Sequence, residues 1–275
     1  MRSLVFLSLL LPAAAMANEC LFSAERDFDV DAAGLASVAL ALGSSDVIVE
    51  GVPGLAKVEV RGKVCASDQA WLEGLTIDQQ RVGDGLTITP HADRASNWSW
   101  FGSSYAYIDL RVRVPSTLAV NIKGSSGDAQ VSGVAALDFD TSSGDLQVRH
   151  IAGPLTIEVS SGDVTGEDVG AVEVQRTSSG DIKLRDVRGD VKVGRAGSGD
   201  LQFDHVSGGV LIGSVGSGDV SLSHVDRDVD VDSIGSGDIS VDTVGGNFTL
   251  RSRGSSDVHH HDVRGTVSVP RDNDD

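Results

Sequence analysis

Aromatic side chains are scarce in this 275-residue chain, at 4%, and so are cysteine (2), methionine (2) and proline (6). So few rings exclude a thick globular core; a narrow one, filled by Val, Ile and Leu, is what the composition leaves. Positive charge is short as well. Lys and Arg number 22 against 40 Asp and Glu, for a formal net charge of −18. Such an acidic surface excludes nucleic acid and anionic membranes as natural partners. The longest apolar run, Leu4–Leu11, is too short to cross a bilayer as a helix. No G-x-S-x-G, H-E-x-x-H or P-loop motif is present, and no cofactor is expected.

What the chain does have is glycine, 33 of them, arranged in a refrain. Ser-Gly-Asp ends at Asp128, Asp145, Asp163, Asp181, Asp200, Asp219 and Asp238, and Ser-Ser-Asp ends at Asp46 and Asp257. The steps from Asp128 to Asp257 are 17, 18, 18, 19, 19, 19 and 19 residues. A period this short and steady denotes a solenoid. The residue after each Asp is apolar (Leu146, Val164, Ile182, Leu201, Val220, Ile239, Val258), as in most coils is the one two further on. Spacing then slips from two to three before Ile151, Val169, Val187, Val206, Val225, Val244 and Val263. Period two with an inward face means strand, and the slip means a corner. Each repeat reads as strand, corner, strand, corner, pairing only with its copies above and below. The expected fold is all-β: a single-stranded parallel β-solenoid (β-helix) of 17–19 residues per coil, about 4.8 Å per coil, with wider irregular coils at the N-terminus.

The expected organisation is a signal peptide over 1–17, one solenoid domain over 18–269 and a disordered acidic tail over 270–275. Arg2, the apolar run and Ala15-Met16-Ala17 supply the leader pattern. Within the domain, 18–125 are the wider coils, continuous with the regular repeats of 126–269. The product is expected outside the cytoplasm, periplasmic or extracellular, where Cys20 and Cys65 would pair as a disulfide.

The run RVRVPSTLAVNIKGSSGDAQVSG (111–133), followed by the SSGD-type repeats, resembles a family of exported bacterial adhesin-like proteins. They are β-strand-repeat domains of unknown function related to the head–GIN, auto-transporter-adhesin-like domain. The resemblance implies a β-solenoid of the bacterial cell envelope and carries over no catalytic residue.

Several positions are candidates for chemistry. Gly127/Asp128, Gly144/Asp145, Gly162/Asp163, Gly180/Asp181, Gly199/Asp200, Gly218/Asp219 and Gly237/Asp238 read as structural corners: Gly for a backbone angle other residues resist, Asp to bond neighbouring N–H groups. One Asp per coil cannot fill a calcium shell. His150, Asp168, Asp186, His205, His224, Thr243 and Asp262 share an outward corner column, in which His205 and His224 could pair or hold a metal. In DVHHHD, His259 and His261 share a face beside Asp242 of the previous coil, a weak start for a metal site. Asp228, Asp230 and Asp232 read as a solvated face paired with Arg251. The segment NWSWFGSSYAYIDL breaks the pattern with Trp98, Trp100, Phe101, Tyr105 and Tyr107, either covering the coil interior or offering a site for sugar or protein.

The functional expectation is a non-enzymatic exported surface for adhesion or scaffolding in the envelope. Its partner would be an envelope or surface protein or glycan, and homo-oligomers are open. The alternative is a carbohydrate-active β-helix enzyme of lyase or hydrolase type. Smooth coils favour the first and a cleft interrupting the repeat favours the second.

Overall fold

The computed structural model describes residues 20–92 and 105–271. The expected leader, Trp98, Trp100, Phe101 and the end of the tail (272–275) lie outside the described residues.

One coil shows how the repeat folds. After the Gly199-Asp200 corner, strand Leu201–Val206 points Leu201, Phe203 and Val206 inward. The chain turns through Ser207-Gly208-Gly209, and strand Val210–Val215 points Val210, Ile212 and Val215 inward from the opposite side. Gly216-Ser217-Gly218 then returns it to Asp219. Each strand pairs in parallel with its copies in the coils on either side, so Leu201 sits between Ile182 and Val220. Stacking makes two sheets. The first, of 13 strands, holds the strands that follow each Asp; the second, of 12 strands, holds the return strands. Their inward faces meet in one core that includes Phe139, Phe203 and Phe248, all fully buried. Apolar burial of this sort stabilises by about 25 cal/mol per Å².

The slip in the apolar spacing has a backbone cause. His150, Asp168, Asp186, His205, His224, Thr243 and Asp262 all take left-handed φ, between 49° and 57°. One left-handed residue lets two consecutive side chains face outward, such as Asp204 and His205, before Val206 turns back in. Asp and His tolerate that region better than most residues.

The corner glycines differ from expectation. Gly127 through Gly237 of the Ser-Gly-Asp column are not among the glycines with positive φ. They are required by contact: a Cβ on Gly199 would lie 2.1 Å from the carbonyl oxygen of Gly180, and one on Gly218 would lie 2.0 Å from that of Gly199. Backbone stacks on backbone there, and no side chain fits between.

The N-terminal third is also differently arranged. The strands Ser37–Gly43 and Asp46–Val52 form a coil that stacks between strands from two later parts of the chain. On one side lie Ala119–Gly124 and Ala129–Ser132, and on the other Gly85–Ala92 and Ala106–Pro115. Space order and chain order therefore part company. Beyond that, strands run antiparallel: Lys57–Ala66 against Ala106–Pro115, Phe22–Glu25 and Phe28–Asp31 against Lys57–Ala66, and Leu75–Val82 against Gly85–Ala92. Coils that simply follow one another give way to a closed end, because 57–92 leave the stack and return to it. Cys20 and Cys65 are disulfide-bonded, Cα to Cα 5.7 Å, which ties the chain just before Phe22–Glu25 to the strand Lys57–Ala66 that it pairs with.

Among the described residues no helix is long and apolar enough to cross a membrane.

Candidate functional site

The outer face of the first sheet carries most of the chemistry. Its edge is the Asp column. The N–H of each Asp donates to Oδ1 of the Asp one coil away: Asp128 to Asp46, Asp145 to Asp128, and so on to Asp257 on Asp238, at 2.8–3.0 Å. The residue after each Asp donates back to the neighbouring Asp carbonyl, as Leu201 does to Asp219 at 2.8 Å. Adjacent carboxylates spaced by one coil repel, and the N–H donors offset that. The Asp200 N–H holds the Asp181 carboxyl below the usual range, with Lys183 assisting against partial burial. The second corner repeats the device: Gly209 N–H donates to Asp190, Asn247 to Asp228, and Thr266 to Asn247.

Next to that edge the outward rows are laced by ion pairs. Glu167 sits between Arg149 and Arg185, 3.7 and 2.8 Å away. Asp168 accepts from His150 at 2.7 Å and lies 3.0 Å from Arg188. The His150 hydrogen bond keeps the Asp168 carboxyl low against desolvation, with Arg188 helping. A shallow open groove of about 410 Å³ runs between these rows, over Gly166. Gly166 has no room for a side chain because Val148 Cγ2 would lie 2.2 Å from its Cβ. On the second sheet Arg251 reaches Asp230 and Asp232, while Asp228 turns away to the corner ladder.

A second groove of about 690 Å³ lies at the closed end, lined by Asp46, Asp109, Asp128, Arg61, Lys63 and Arg111. Burial raises the Asp109 carboxyl, and the charge of Asp46 adds to it, against Lys63 and Arg111.

Of the metal candidates, His261 Nδ1 lies 3.1 Å from Asp242, but His259 stands opposite Ser240 and joins no group of three donors. The three donors that do converge, among the described residues, are Asp204, His205 and His224. His205 Nδ1 is 3.0 Å from Asp204 Oδ2, and His224 Nδ1 is 3.2 Å from Oδ1. The two rings stack at 4.4 Å, 9° from parallel. Ser223 Oγ donates to Asp204 at 2.5 Å. Partial burial would raise the Asp204 carboxyl, but the bonds from Ser223, His224 and His205 outweigh it and hold it low. The sequence showed His205 and His224 as neighbours; Asp204 was missed because it stands one place outside their column. Two consecutive outward residues before an inward Val was the signal for it.

Of the aromatic segment, Tyr105 and Tyr107 are described. Tyr107 faces Cys65 across the antiparallel pair and is 39% exposed, and its ring centroid is 6.0 Å from that of Tyr105. Burial raises the Tyr107 hydroxyl, with Asp109 and Tyr105 adding. The Tyr105 hydroxyl accepts from the Leu21 N–H at 3.1 Å. These rings therefore brace the disulfide-linked end.

The Toastrack DUF4097 family profile matches residues 69–275. A search of curated proteins found no match. Among solved structures, a candidate cell adhesion protein from Clostridium sporogenes is 9% identical and covers 89% of this chain and 100% of its own, with a TM-score of 0.38. A candidate adhesin from Bacteroides fragilis is 12% identical over 90% and 97%, TM-score 0.34. A candidate lipid-binding protein from Parabacteroides distasonis is 15% identical over 90% and 97%, TM-score 0.41.

Proposed function

The chain belongs to the Toastrack DUF4097 family, and from that premise we propose that it is a non-enzymatic, exported β-solenoid. It presents a rigid patterned surface for adhesion or scaffolding in the cell envelope. One observation carries the reading. From Ala119 to Ser268 every strand pairs in parallel with its copies, with one register shift at Ile157/Glu158, and the groove over Gly166 is shallow and open. A catalytic centre breaks a repeat at one place, because it needs convergent groups that occur once. Here the outward groups are mostly engaged with one another, which suits a surface recognised over an area. The leader pattern at 1–17 and the disulfide Cys20–Cys65 support export, since disulfides persist in oxidising compartments. The partner this surface fits is an envelope protein or glycan.

The test is retention of purified protein on intact bacterial cells and isolated envelopes, with release of reducing ends from a polysaccharide panel measured in parallel. Saturable retention is expected, weakened at least fivefold by Arg149→Glu with Arg185→Glu, and no release of ends. Polysaccharide cleavage, or retention that never saturates, overturns the proposal.

A further inference from the structure

We infer that Asp204, His205 and His224 form a binding site for a divalent transition-metal ion of the Zn²⁺ class. The inference goes beyond surface presentation and does not depend on it.

Three observations lead there. First, the donor set is right: two imidazoles and a carboxylate suit zinc, copper and nickel far better than calcium or magnesium. Second, the spacing is right. Ligands 2.0–2.1 Å from a tetrahedral ion lie about 3.3 Å from each other. The two Nδ1–carboxylate separations are 3.0 and 3.2 Å, and one donor from each residue lies within 4.8 Å of the other two. An ion entering between the carboxylate and the rings would be bound by the Nδ1 lone pairs, with each ring proton carried by Nε2 instead. Third, the site is pre-formed. Both histidines sit at left-handed positions of adjacent coils, so their rings project side by side from a stacked backbone. Ser223 Oγ donates to Asp204 Oδ1, a supporting bond of the kind that orients metal ligands. Arg185 stands opposite Asp204 in the preceding coil and feels its charge, but its guanidinium bonds Glu167 at 2.8 Å.

Among the described residues, the rest of the face lacks this combination. His150 has a carboxylate in Asp168 but shares it with Arg188, which would repel a cation. His261 has Asp242, with no second histidine on it. The half-exposed rings leave the fourth coordination position to solvent or to a donor from a partner.

Untagged full-length mature protein titrated with Zn²⁺ against a chromogenic chelator tests the site. One ion per chain is expected, with His205→Asn and His224→Asn each weakening binding tenfold or more. Asn keeps the left-handed backbone, and circular dichroism confirms the fold of each variant. His150→Asn and His259→Ala serve as controls and should bind as wild type does. In NMR, Zn²⁺ should move the ring resonances of His205 and His224. Absence of binding overturns the inference. So does binding that survives both Asn variants, or that is lost with His259→Ala.

Discussion

At the scale of the residue, two positions separate the forces that shape a coil. Gly199 is needed for closeness: a Cβ would meet the Gly180 carbonyl at 2.1 Å for oxygen and 2.6 Å for carbon. Gly199→Ala should therefore cost about 2 kcal/mol or more, although its φ is not left-handed. Thr243 poses the opposite case. It is β-branched and holds φ 57°, a conformation such residues resist, in a column otherwise filled by Asp and His. Thr243→Asn should stabilise the protein by about 1 kcal/mol. Urea midpoints decide both. An unmoved midpoint for Gly199→Ala would mean that the corner stack can open, and a lowered one for Thr243→Asn would mean that the Thr side chain matters more than its backbone angle.

At the scale of the element, the coil is the unit, bound to its neighbours and to little else. Deleting residues 238–256 joins Gly237 to Asp257 and recreates a Ser-Gly-Asp corner. Ile239–Val244 and Phe248–Arg253 are lost, and Val258–Val263 comes to lie on Val220–Val225 in the same phase. That variant should keep a β-type circular dichroism spectrum and a single unfolding transition. Deleting ten residues, 247–256, removes only the return strand and should melt the C-terminal coils. If the two deletions behave alike, the coil is not the unit. The same locality explains what the sequence disclosed. The Asp column, the inward Val, Ile and Leu columns and the two-to-three slip are periodic, so the order of amino acids alone displays them. The placement of Ser37–Val52 between strands from 85–115 and 119–132 is not displayed that way. That pairing joins residues 82 apart, such as Asp46 and Asp128, and no period records it. At the corner glycines the sequence reveals that a side chain is missing, not what fills its place, so it points to a backbone angle where the structure has a close contact. The family resemblance gave an adhesin-like β-strand-repeat grouping related to head–GIN; the profile that matches is Toastrack DUF4097.

At the scale of the whole molecule, the ends decide what the middle is allowed to be. In-register parallel strands are the arrangement of fibrils, and a bare last coil would template another chain. At the closed end, the antiparallel pair of Phe28–Asp31 and Lys57–Ala66 carries paired charges, Arg61 on Asp27 and Asp29 and Lys57 on Asp29. At the other end the inward place of the last coil is taken by His260, exposed between His259 and His261. The final strand, Val267–Ser268, has two residues and is followed by Pro270. A chain stopped after Gly254 would instead expose Ile239, Val241, Phe248 and Leu250 along fresh edges. It should scatter light and grow fibres at concentrations where the full chain stays dispersed. A truncated chain that remains dispersed would show that the last coil is not a stopper.

The common register of the stack has one more consequence, for how such a surface changes over generations. Each coil advances the axis by about 4.8 Å, while the same nineteen residues in a helix would advance it by about 28 Å. The chain thus spends its length on area, ruled in lines of fixed pitch. Along one line stand Gln147, Thr165, Lys183, Gln202, Ser221, Ser240 and His259, unlike in chemistry yet equivalent in backbone. None of them packs into the core, so each can be rewritten singly without disturbing the ruling. The surface is a text on lined paper: what it says is free to drift, and where each letter stands is not.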